Sequence, residues 1–176
     1  MNKKVNIAIV GFGNIGGYFY NTLIKNFKTI RIKTGKIPVV KYISAKNKNK
    51  KRLVKIPKSK WIKNPIDLCF KKDVDIIIEL VGGSDGMAKK LVFLALQNRK
   101  HIITANKALM AKHGNKLAAL AEKNKVNLEY EASVAGGIPI IRSIKEGLIG
   151  NKISKIYGIL NGTTNFILSN MENSGK

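Results

Sequence analysis

Cysteine, acidic residues and long apolar segments are all scarce in this chain of 176 residues. The single cysteine, Cys69, excludes an internal disulfide framework and any metal site built from several cysteines. The longest apolar runs, Ile76–Ile78 and Ile138–Ile141, are far too short to cross a bilayer. No apolar signal segment with a small-residue cleavage site follows Met1. We therefore expect a cytoplasmic protein that has no membrane partner.

Acidic residues number only 10 against 33 Lys and Arg, which gives a formal net charge of +23. So basic a balance is typical of nucleic-acid-binding proteins. Lysine outnumbers arginine 29 to 4, however, and it is spread over every segment. A phosphate-reading surface would favour the bidentate fork of arginine. We therefore interpret the charge as compositional bias and expect no nucleic-acid partner; only the run Lys46–Arg52 is dense enough to need its own explanation.

Hydrophobic residues make up 44% of the chain, which is enough for a sizeable core. Short apolar runs alternate with segments of helical spacing. The predicted strands are Val5–Val10, Pro38–Ser44, Val74–Leu80, His101–Thr104 and Asn127–Ala132. The predicted helices are Asn14–Asn26, Asp67–Lys71, Met87–Asn98, Lys107–Ala111 and Asn115–Lys123, with a break at Gly114 and a connector at Thr29–Lys36. This alternation predicts an α/β fold with a doubly wound parallel sheet covered by helices on both faces.

The pattern changes after Ser133. Beyond it we predict a helix at Ile140–Leu148, a strand at Lys152–Leu160, a turn at Asn161–Asn165 and a helix at Phe166–Met171. A single strand with these helices cannot bury both of its faces. We therefore expect residues 1–133 to form one domain and residues 134–176 to be the beginning of an incomplete α+β domain.

A glycine-rich motif follows the first predicted strand directly and opens the first predicted helix. It matches G-x-G-x-x-G, the dinucleotide-binding pattern of Rossmann folds, in the context that the motif requires. Its first glycine permits a tight turn, its second lets the backbone approach a pyrophosphate, and its third lets the helix pack closely on the strand. The helix N-terminus then faces the phosphates. The candidate cofactor contacts are Gly11, Phe12, Gly13, Asn14, Ile15 and Gly16; a tight turn without a ligand is the alternative.

The end of the second predicted strand is where such folds usually meet the cofactor's ribose, and an acidic residue there favours NAD. The segment Ser44–Arg52 contains no carboxylate. A cationic loop at this place suits the 2′-phosphate of NADP, since phosphate forms strong charge-assisted hydrogen bonds. Lys46 is the first candidate and Lys48 the second. The prediction favours NADP over NAD, and a solvated basic loop is the alternative.

Four further segments, taken with the glycine loop, resemble the homoserine dehydrogenase family. They are Glu79–Gly83, Thr104–Leu109, Glu131–Ile141 and Asn161–Leu168, in the family's order and at plausible spacing. The resemblance covers essentially the whole chain. It implies a small-molecule enzyme that interconverts L-homoserine and L-aspartate 4-semialdehyde with NAD(P)H, on the route to threonine, methionine and isoleucine. It also implies that full-length members form homo-oligomers.

The resemblance assigns roles to residues after the third and fourth strands. Val81, Gly82 and Gly83 follow the third strand at the carboxyl edge of the sheet, where open α/β folds bind ligands, and they are expected to approach the cofactor. Asn106 and Lys107 follow the fourth strand at the same edge. In the family this lysine contacts the cofactor and belongs to the reaction centre. Its ammonium would polarise or protonate the aldehyde oxygen.

Two further sites are implied by the resemblance. A monovalent cation, usually sodium, is expected at backbone oxygens of Glu131, Val134, Gly136 and Ile138, with an ion-free glycine hinge as the alternative. Additional cofactor contacts are expected from Asn161, Gly162 and Thr163, where helix capping by threonine is the alternative. The family's acidic substrate-binding residues and its second lysine have no counterpart here. That absence predicts a truncated gene product, a fragment or a partial record.

Two other functions remain open from the sequence. Another Rossmann oxidoreductase, such as a semialdehyde dehydrogenase, would need an acylating cysteine, and Cys69 lies between Leu68 and Phe70, a poor position for one. A non-catalytic nucleotide- or nucleic-acid-binding module would instead show DNA affinity that falls steeply with salt.

Overall fold

The structure is a computed structural model, and it describes residues 3–48, 52, 54–158 and 162–175, with only the backbone for residues 162 and 163. The chain forms two units, Met1–Tyr130 and Glu131–Lys176. The expectation that a dinucleotide domain ends at residue 133 and an incomplete substrate domain follows stays a prediction. None of the helices within the described ranges has the length and apolar character that a membrane span requires.

The first unit alternates strands and helices around one sheet. Its elements are β1 (Lys3–Val10), α1 (Asn14–Lys25), α2 (Phe27–Thr34), β2 (Lys36–Ser44), 3-10 turns at Lys58–Lys60 and Pro65–Phe70, β3 (Ile76–Glu79), α3 (Met87–Gln97), β4 (His101–Thr104), α4 (Lys107–Lys123) and β5 (Leu128–Glu129). The strands pair in the order β2-β1-β3-β4-β5, and every pair is parallel. The predicted Rossmann-type parallel sheet is confirmed.

Helices cover both faces of this sheet because successive side chains of a strand point to opposite sides. Ile7 and Ile9 of β1 pack with residues of α1 in one buried cluster. Ala8 and Val10 pack with residues of α3 and α4 in the other. A strand that is buried on both faces is nearly all apolar, as the short runs in the sequence indicated.

The strand order places a topological switch point between β1 and β3. After β1 the chain passes outward to β2 on one side, and β3 then pairs with β1 on its other side. The connections that leave the carboxyl ends of β1 and β3 therefore diverge and leave a crevice between them. In open α/β sheets ligands bind in this crevice.

The predicted connector at Thr29–Lys36 is wrong. Most of it belongs to α2, and its last residue begins β2. Ile30 packs against the core cluster on the α1 side of the sheet, which stabilises the helix although no α2 residue is fully buried. The helix ends at Gly35, which has a φ of +63° and donates its N–H to the Arg31 carbonyl.

The predicted break at Gly114 is also wrong, because α4 runs without interruption from Lys107 to Lys123. Its buried residues recur every four positions: Leu109, His113, Leu117 and Ala121. Packing of this continuous face outweighs the cost of about 1 kcal/mol that glycine imposes inside a helix.

The second unit is mainly helical within its described residues. It contains α5 (Glu131–Val134), α6 (Ile140–Arg142), a π-helical stretch at Ser143–Gly147, and α7 (Gly162–Ser174). The fifth predicted strand is therefore too long, since it included residues that begin α5. The helix predicted over Ile140–Leu148 is confirmed in outline, with its second half π-helical.

The strand predicted at Lys152–Leu160 is wrong for its described part, because residues 152–158 form no strand and are exposed. A strand needs a partner for its backbone groups, and the described residues of this unit include no other strand. The predicted turn at Asn161–Asn165 is replaced by α7 from Gly162 onward, and Asn161 lies outside the described residues.

Candidate functional site

The glycine loop joins β1 to α1 in a turn that two of its glycines make possible. Gly11 has a φ of +97°, and a Cβ at this position would lie 2.5 Å from the carbonyl oxygen of Leu80. Its N–H donates to the Ser44 carbonyl over 2.9 Å. A Cβ on Gly16 would collide with the carbonyl oxygen of Gly11. Both positions therefore exclude a side chain, in agreement with the roles predicted for the first and third glycines.

Gly13 differs because, its chain neighbours aside, no described residue lies within 4 Å of the place its Cβ would occupy. It precedes α1 without supplying a side-chain cap, and the first turn of the helix contains no acidic residue. The first N–H groups of a helix have no acceptor inside the helix. The positive end of α1 is therefore open to an external anion.

The other three residues of the loop face different surroundings. The Phe12 ring is 2% exposed and packs edge-on against Tyr20 and Trp61. Any ligand contact of Phe12 is therefore made by its backbone. Asn14 and Ile15 are exposed on the first turn of α1.

A cleft of about 730 Å³ lies at the carboxyl ends of β1, β2 and β3. Five residues predicted from the sequence line it: Gly11, Phe12, Gly13, Lys46 and Val81. The other predicted site residues of the first unit do not line this cleft: Asn14, Ile15, Gly16, Lys48, Gly82, Gly83, Asn106 and Lys107. The cleft thus occupies the switch point of the sheet.

Sequence reasoning missed Arg52 and Lys63, which also line the cleft. The Arg52 guanidinium donates to the carbonyl of Phe12 over 3.0 Å and to that of Lys48 over 2.7 Å. It also lies 4.9 Å from the ring centre of Trp61. The dense basic run pointed to the correct loop, but nothing in it singled out the arginine. Lys63 carries no local signal at all, because only the fold brings it to the cleft.

A buried carboxylate lies just behind this edge. Glu79 ends β3, is 0% exposed, and accepts three hydrogen bonds. Its Oε1 accepts from the N–H groups of Val81 at 2.8 Å and Gly82 at 3.3 Å. Its Oε2 accepts from the Thr104 hydroxyl at 2.6 Å. In the sequence Glu79 belongs to a family motif, but no local signal predicts its role.

Asn106 continues this network to the start of α4. Its N–H donates to the Thr104 hydroxyl over 3.0 Å, and its side-chain amide donates to the Gly83 carbonyl over 2.7 Å. Its Oδ1 accepts from the N–H of Leu109 and caps α4. The structure therefore places Asn106 beside the Gly82–Gly83 loop, and its contacts are all made within the protein.

Lys107 is the first residue of α4 and is exposed. A cation at this end of a helix is unfavourable, because the dipole there is positive. Within the described part of the chain its ammonium makes no hydrogen bond or ion pair. The lysine is thus available at the edge where the sequence analysis placed it.

Asp85 fastens the loop that follows Gly83 to α4. Its carboxylate accepts from the Lys112 ammonium at 2.6 Å and from the Ser84 hydroxyl at 2.8 Å, and it lies 3.2 Å from Nε2 of His113. Lys112, followed by Ser84 and His113, holds the pKa of Asp85 well below its usual range. The loop between β3 and α3 is therefore tied to α4 by side chains as well as by Asn106.

Cys69 has no place in this site. It is fully buried, its Sγ lies 3.5 Å from the Leu91 carbonyl, and burial raises the pKa of its thiol to about 11. A protonated, inaccessible thiol is a poor nucleophile. This observation argues against the semialdehyde dehydrogenase alternative.

The predicted cation loop lies in the second unit. The Glu131 carboxylate accepts from the N–H groups of Ile141 and Arg142 at 2.9 and 2.8 Å, so it caps α6. The carbonyls of Glu131 and Ile138 each accept one backbone N–H, and each keeps a second lone pair. The cation site at Glu131, Val134, Gly136 and Ile138 stays a prediction. Cofactor contacts from Gly162 and Thr163 also stay predictions, and Asn161 lies outside the described residues.

Comparisons with known proteins agree with the resemblance noted in the sequence. A family model described as the NAD binding domain of homoserine dehydrogenase matches residues 11–131, and one described as homoserine dehydrogenase matches residues 139–176. The homoserine dehydrogenases of Neisseria gonorrhoeae and Pseudomonas aeruginosa are 44% and 41% identical to the chain, and the alignments cover 98% and 99% of it. The crystal structure of a homoserine dehydrogenase from Thiobacillus denitrificans superposes with a TM-score of 0.86 at 37% identity, over 99% of this chain and 40% of that one. The chain spans 39% of the length of the two curated relatives.

Proposed function

This chain belongs to the homoserine dehydrogenase family, and we propose that it binds NADP as part of an enzyme that interconverts L-homoserine and L-aspartate 4-semialdehyde. The observation that carries the proposal is the cleft at the switch point, with an open glycine loop at one wall and three cations at another. Substrate turnover is proposed for an enzyme of the relatives' full length, working as a homo-oligomer on the route to threonine, methionine and isoleucine. The cytoplasmic location stays a prediction.

The residues at the glycine loop fit a pyrophosphate. The open space at Gly13 lets the group approach the backbone, and the uncapped first turn of α1 offers N–H donors to its oxygens. The missing side chain of Gly11 lets the turn lie against the Leu80 backbone. The missing side chain of Gly16 lets α1 lie close to the Gly11 carbonyl. A side chain at either position would displace this turn.

The residues beyond β2 fit a 2′-phosphate better than a free ribose hydroxyl. Lys46, Arg52 and Lys63 line this part of the cleft, and no carboxylate is among the described lining residues. Arg52 donates to the carbonyls of Phe12 and Lys48 and so holds the loop after β2 in place. Its charge adds to the positive electrostatic potential of the cleft. The exposed ammonium of Lys46 is the proposed phosphate ligand.

The nicotinamide, when bound, supplies or accepts the hydride that interconverts the aldehyde and the alcohol. We assign Lys107 to the substrate oxygen, where its ammonium polarises the carbonyl or delivers a proton. Asn106 supports this role because it fixes the first turn of α4 through the Gly83 carbonyl and the Leu109 N–H. We further propose that backbone oxygens of the Glu131–Ile138 loop hold a sodium ion, since carbonyl oxygens suit a hard cation.

Fluorescence titration of the 176-residue chain with NADPH and NADH tests the cofactor assignment. We expect NADPH to bind about tenfold more tightly, because a hydrogen bond to a charged group is worth that much. Lys46→Ala should remove this preference. Lys116→Ala, an exposed lysine on α4, serves as the matched control and should keep it.

Two outcomes would contradict the assignment. Equal affinity for the two cofactors in the unaltered chain would remove the argument for NADP. Failure to bind either cofactor, together with tight DNA binding that weakens steeply with salt, would favour the nucleic-acid-binding alternative.

A further inference from the structure

We propose that Glu79 is a positioning residue for the nicotinamide end of the cofactor site, where it locks the Val81–Gly83 loop, whose first residue lines the cleft, to the start of α4. The inference rests on the proposed function, since it concerns the cofactor that this edge would bind. Glu79 itself is fully buried, so it acts through the backbone of the loop and through Asn106.

The hydrogen bonds form a closed ring. From the Glu79 carboxylate the ring passes through the Thr104 hydroxyl to the N–H of Asn106. From the Asn106 side chain it passes to the carbonyl of Gly83, and from the same loop the N–H groups of Val81 and Gly82 return to Glu79. The ring therefore fixes the loop that follows β3 relative to the segment that joins β4 to α4.

The loop needs such a restraint because it contains two consecutive glycines in the left-handed region. Gly82 and Gly83 have φ values of +84° and +85°, and in the part of the chain that the structure describes no residue beyond their chain neighbours lies within 4 Å of either Cβ position. Glycines lose the most conformational freedom on ordering and gain no side-chain contacts in return. The three hydrogen bonds to the loop replace the missing contacts.

The chemistry of the restraint requires a carboxylate. The Thr104 hydroxyl accepts from Asn106, so its own proton points to Glu79, and both carboxylate oxygens therefore face donors. A glutamine would turn an amide NH₂ toward at least one of these donors. Among the described residues Glu79 forms no salt bridge, and burial of an unpaired charge is costly. An apolar side chain here would leave the Val81 and Gly82 N–H groups and the Thr104 hydroxyl without their acceptor, so the carboxylate serves the loop geometry.

A matched pair of variants at Thr104 tests the inference. Thr104→Val keeps the shape of the side chain but removes the hydroxyl, and Thr104→Ser restores the hydroxyl. The probes are NADPH and adenosine 2′,5′-bisphosphate, which lacks the nicotinamide half. We expect Thr104→Val and Glu79→Gln to bind NADPH about tenfold more weakly, because each loses a hydrogen bond to a charged group. Adenosine 2′,5′-bisphosphate should bind with unchanged affinity, and Thr104→Ser should bind both probes as the unaltered chain does.

Amide hydrogen exchange without ligand supplies a second readout. The amides of Val81, Gly82 and Asn106 should exchange faster in Thr104→Val and should recover in Thr104→Ser, while those of Ile77 in the core stay protected. Equal loss of both probes would indicate a general structural role and overturn the inference. Unchanged NADPH affinity or unchanged exchange in Thr104→Val would also overturn it. If the unaltered chain binds neither probe, the proposed function fails, whereas altered exchange would still show that the ring positions the loop.

Discussion

The two edges of the central sheet each have a basic cleft, but they are built differently. Among the described residues, the cleft at the amino edge, about 550 Å³, is lined by the carboxylates of Asp75 and Glu129 and by six cations, against three cations at the carboxyl edge; the six are Lys3, Lys4, Lys36, Lys72, Arg99 and Lys100. The carboxyl-edge cleft has Gly11 and Gly13 in its wall, whereas no glycine is among the described residues that line the amino edge. In a chain of net charge +23, positive charge alone therefore does not distinguish a ligand site.

Two charged groups at the amino edge bind backbone atoms within the protein. The Lys100 ammonium donates to the carbonyls of Lys71 and Val74 at 2.6 and 2.8 Å. Asp75 accepts the N–H of Asn6 at 2.7 Å. At the carboxyl edge the first turn of α1 has no side-chain cap and no acidic residue among the described residues, so its backbone N–H groups are open to an external anion. Open backbone donors, rather than the number of lysines, mark the carboxyl edge.

The largest expected effect comes from adding a side chain within the glycine turn. Gly16→Ala places a methyl group on the Gly11 carbonyl, so it should destabilise the chain by about 1–3 kcal/mol and weaken NADPH binding severely. Gly17→Ala is the matched control, since its Cβ would meet no described residue beyond its own helix within 4 Å, and it should stabilise α1 by about 0.5–1 kcal/mol. Urea denaturation and cofactor titration measure both. Equal stability and equal NADPH affinity of the two variants would mean that neither folding nor cofactor binding needs the close approach of Gly16 to the Gly11 carbonyl.

A smaller total effect is expected at the amino edge, because there the loss of stability is similar but cofactor binding is unaffected. Lys100→Met keeps the aliphatic stem but leaves the carbonyls of Lys71 and Val74 without their shared donor, so it should cost about 1–3 kcal/mol. NADPH affinity should not change. This is the opposite of the result expected for Lys46→Ala. A loss of cofactor affinity in Lys100→Met would mean that the edges do not differ as we infer.

The smallest effect concerns pH and the loop that Asp85 fastens. Because Lys112, Ser84 and His113 lower the pKa of Asp85 in the folded chain, its contribution to stability is present above the unfolded pKa, about 4. That contribution is lost as the pH falls below that value toward the folded pKa. Asp85→Asn should therefore be less stable than the unaltered chain at pH 7, and the difference should shrink below pH 4. Urea midpoints across this range test the prediction, which a pH-independent difference would contradict.

Much of the site was predictable because its signals are local. The glycine motif lies within six residues between a strand and a helix, and the structure places it at the predicted edge. Val81 and Lys46 were predicted from their positions after strands, and both line the cleft. Lys48 was predicted by the same reasoning, but it contributes its carbonyl to Arg52 instead of lining the cleft. In a loop of repeated lysines, the sequence does not show which residues point inward.

Local pattern by itself determined the alternation of strands and helices, the parallel sheet and the turn that opens α1, because each depends on neighbours only a few residues apart. Tertiary packing decided that α4 continues through Gly114 and that residues 152–158 form no strand, since burial and strand pairing are supplied by distant segments. It also decided the roles of Arg52 and Glu79. Their partners Phe12 and Thr104 lie 40 and 25 positions away in the chain, a separation that no periodicity in the sequence records.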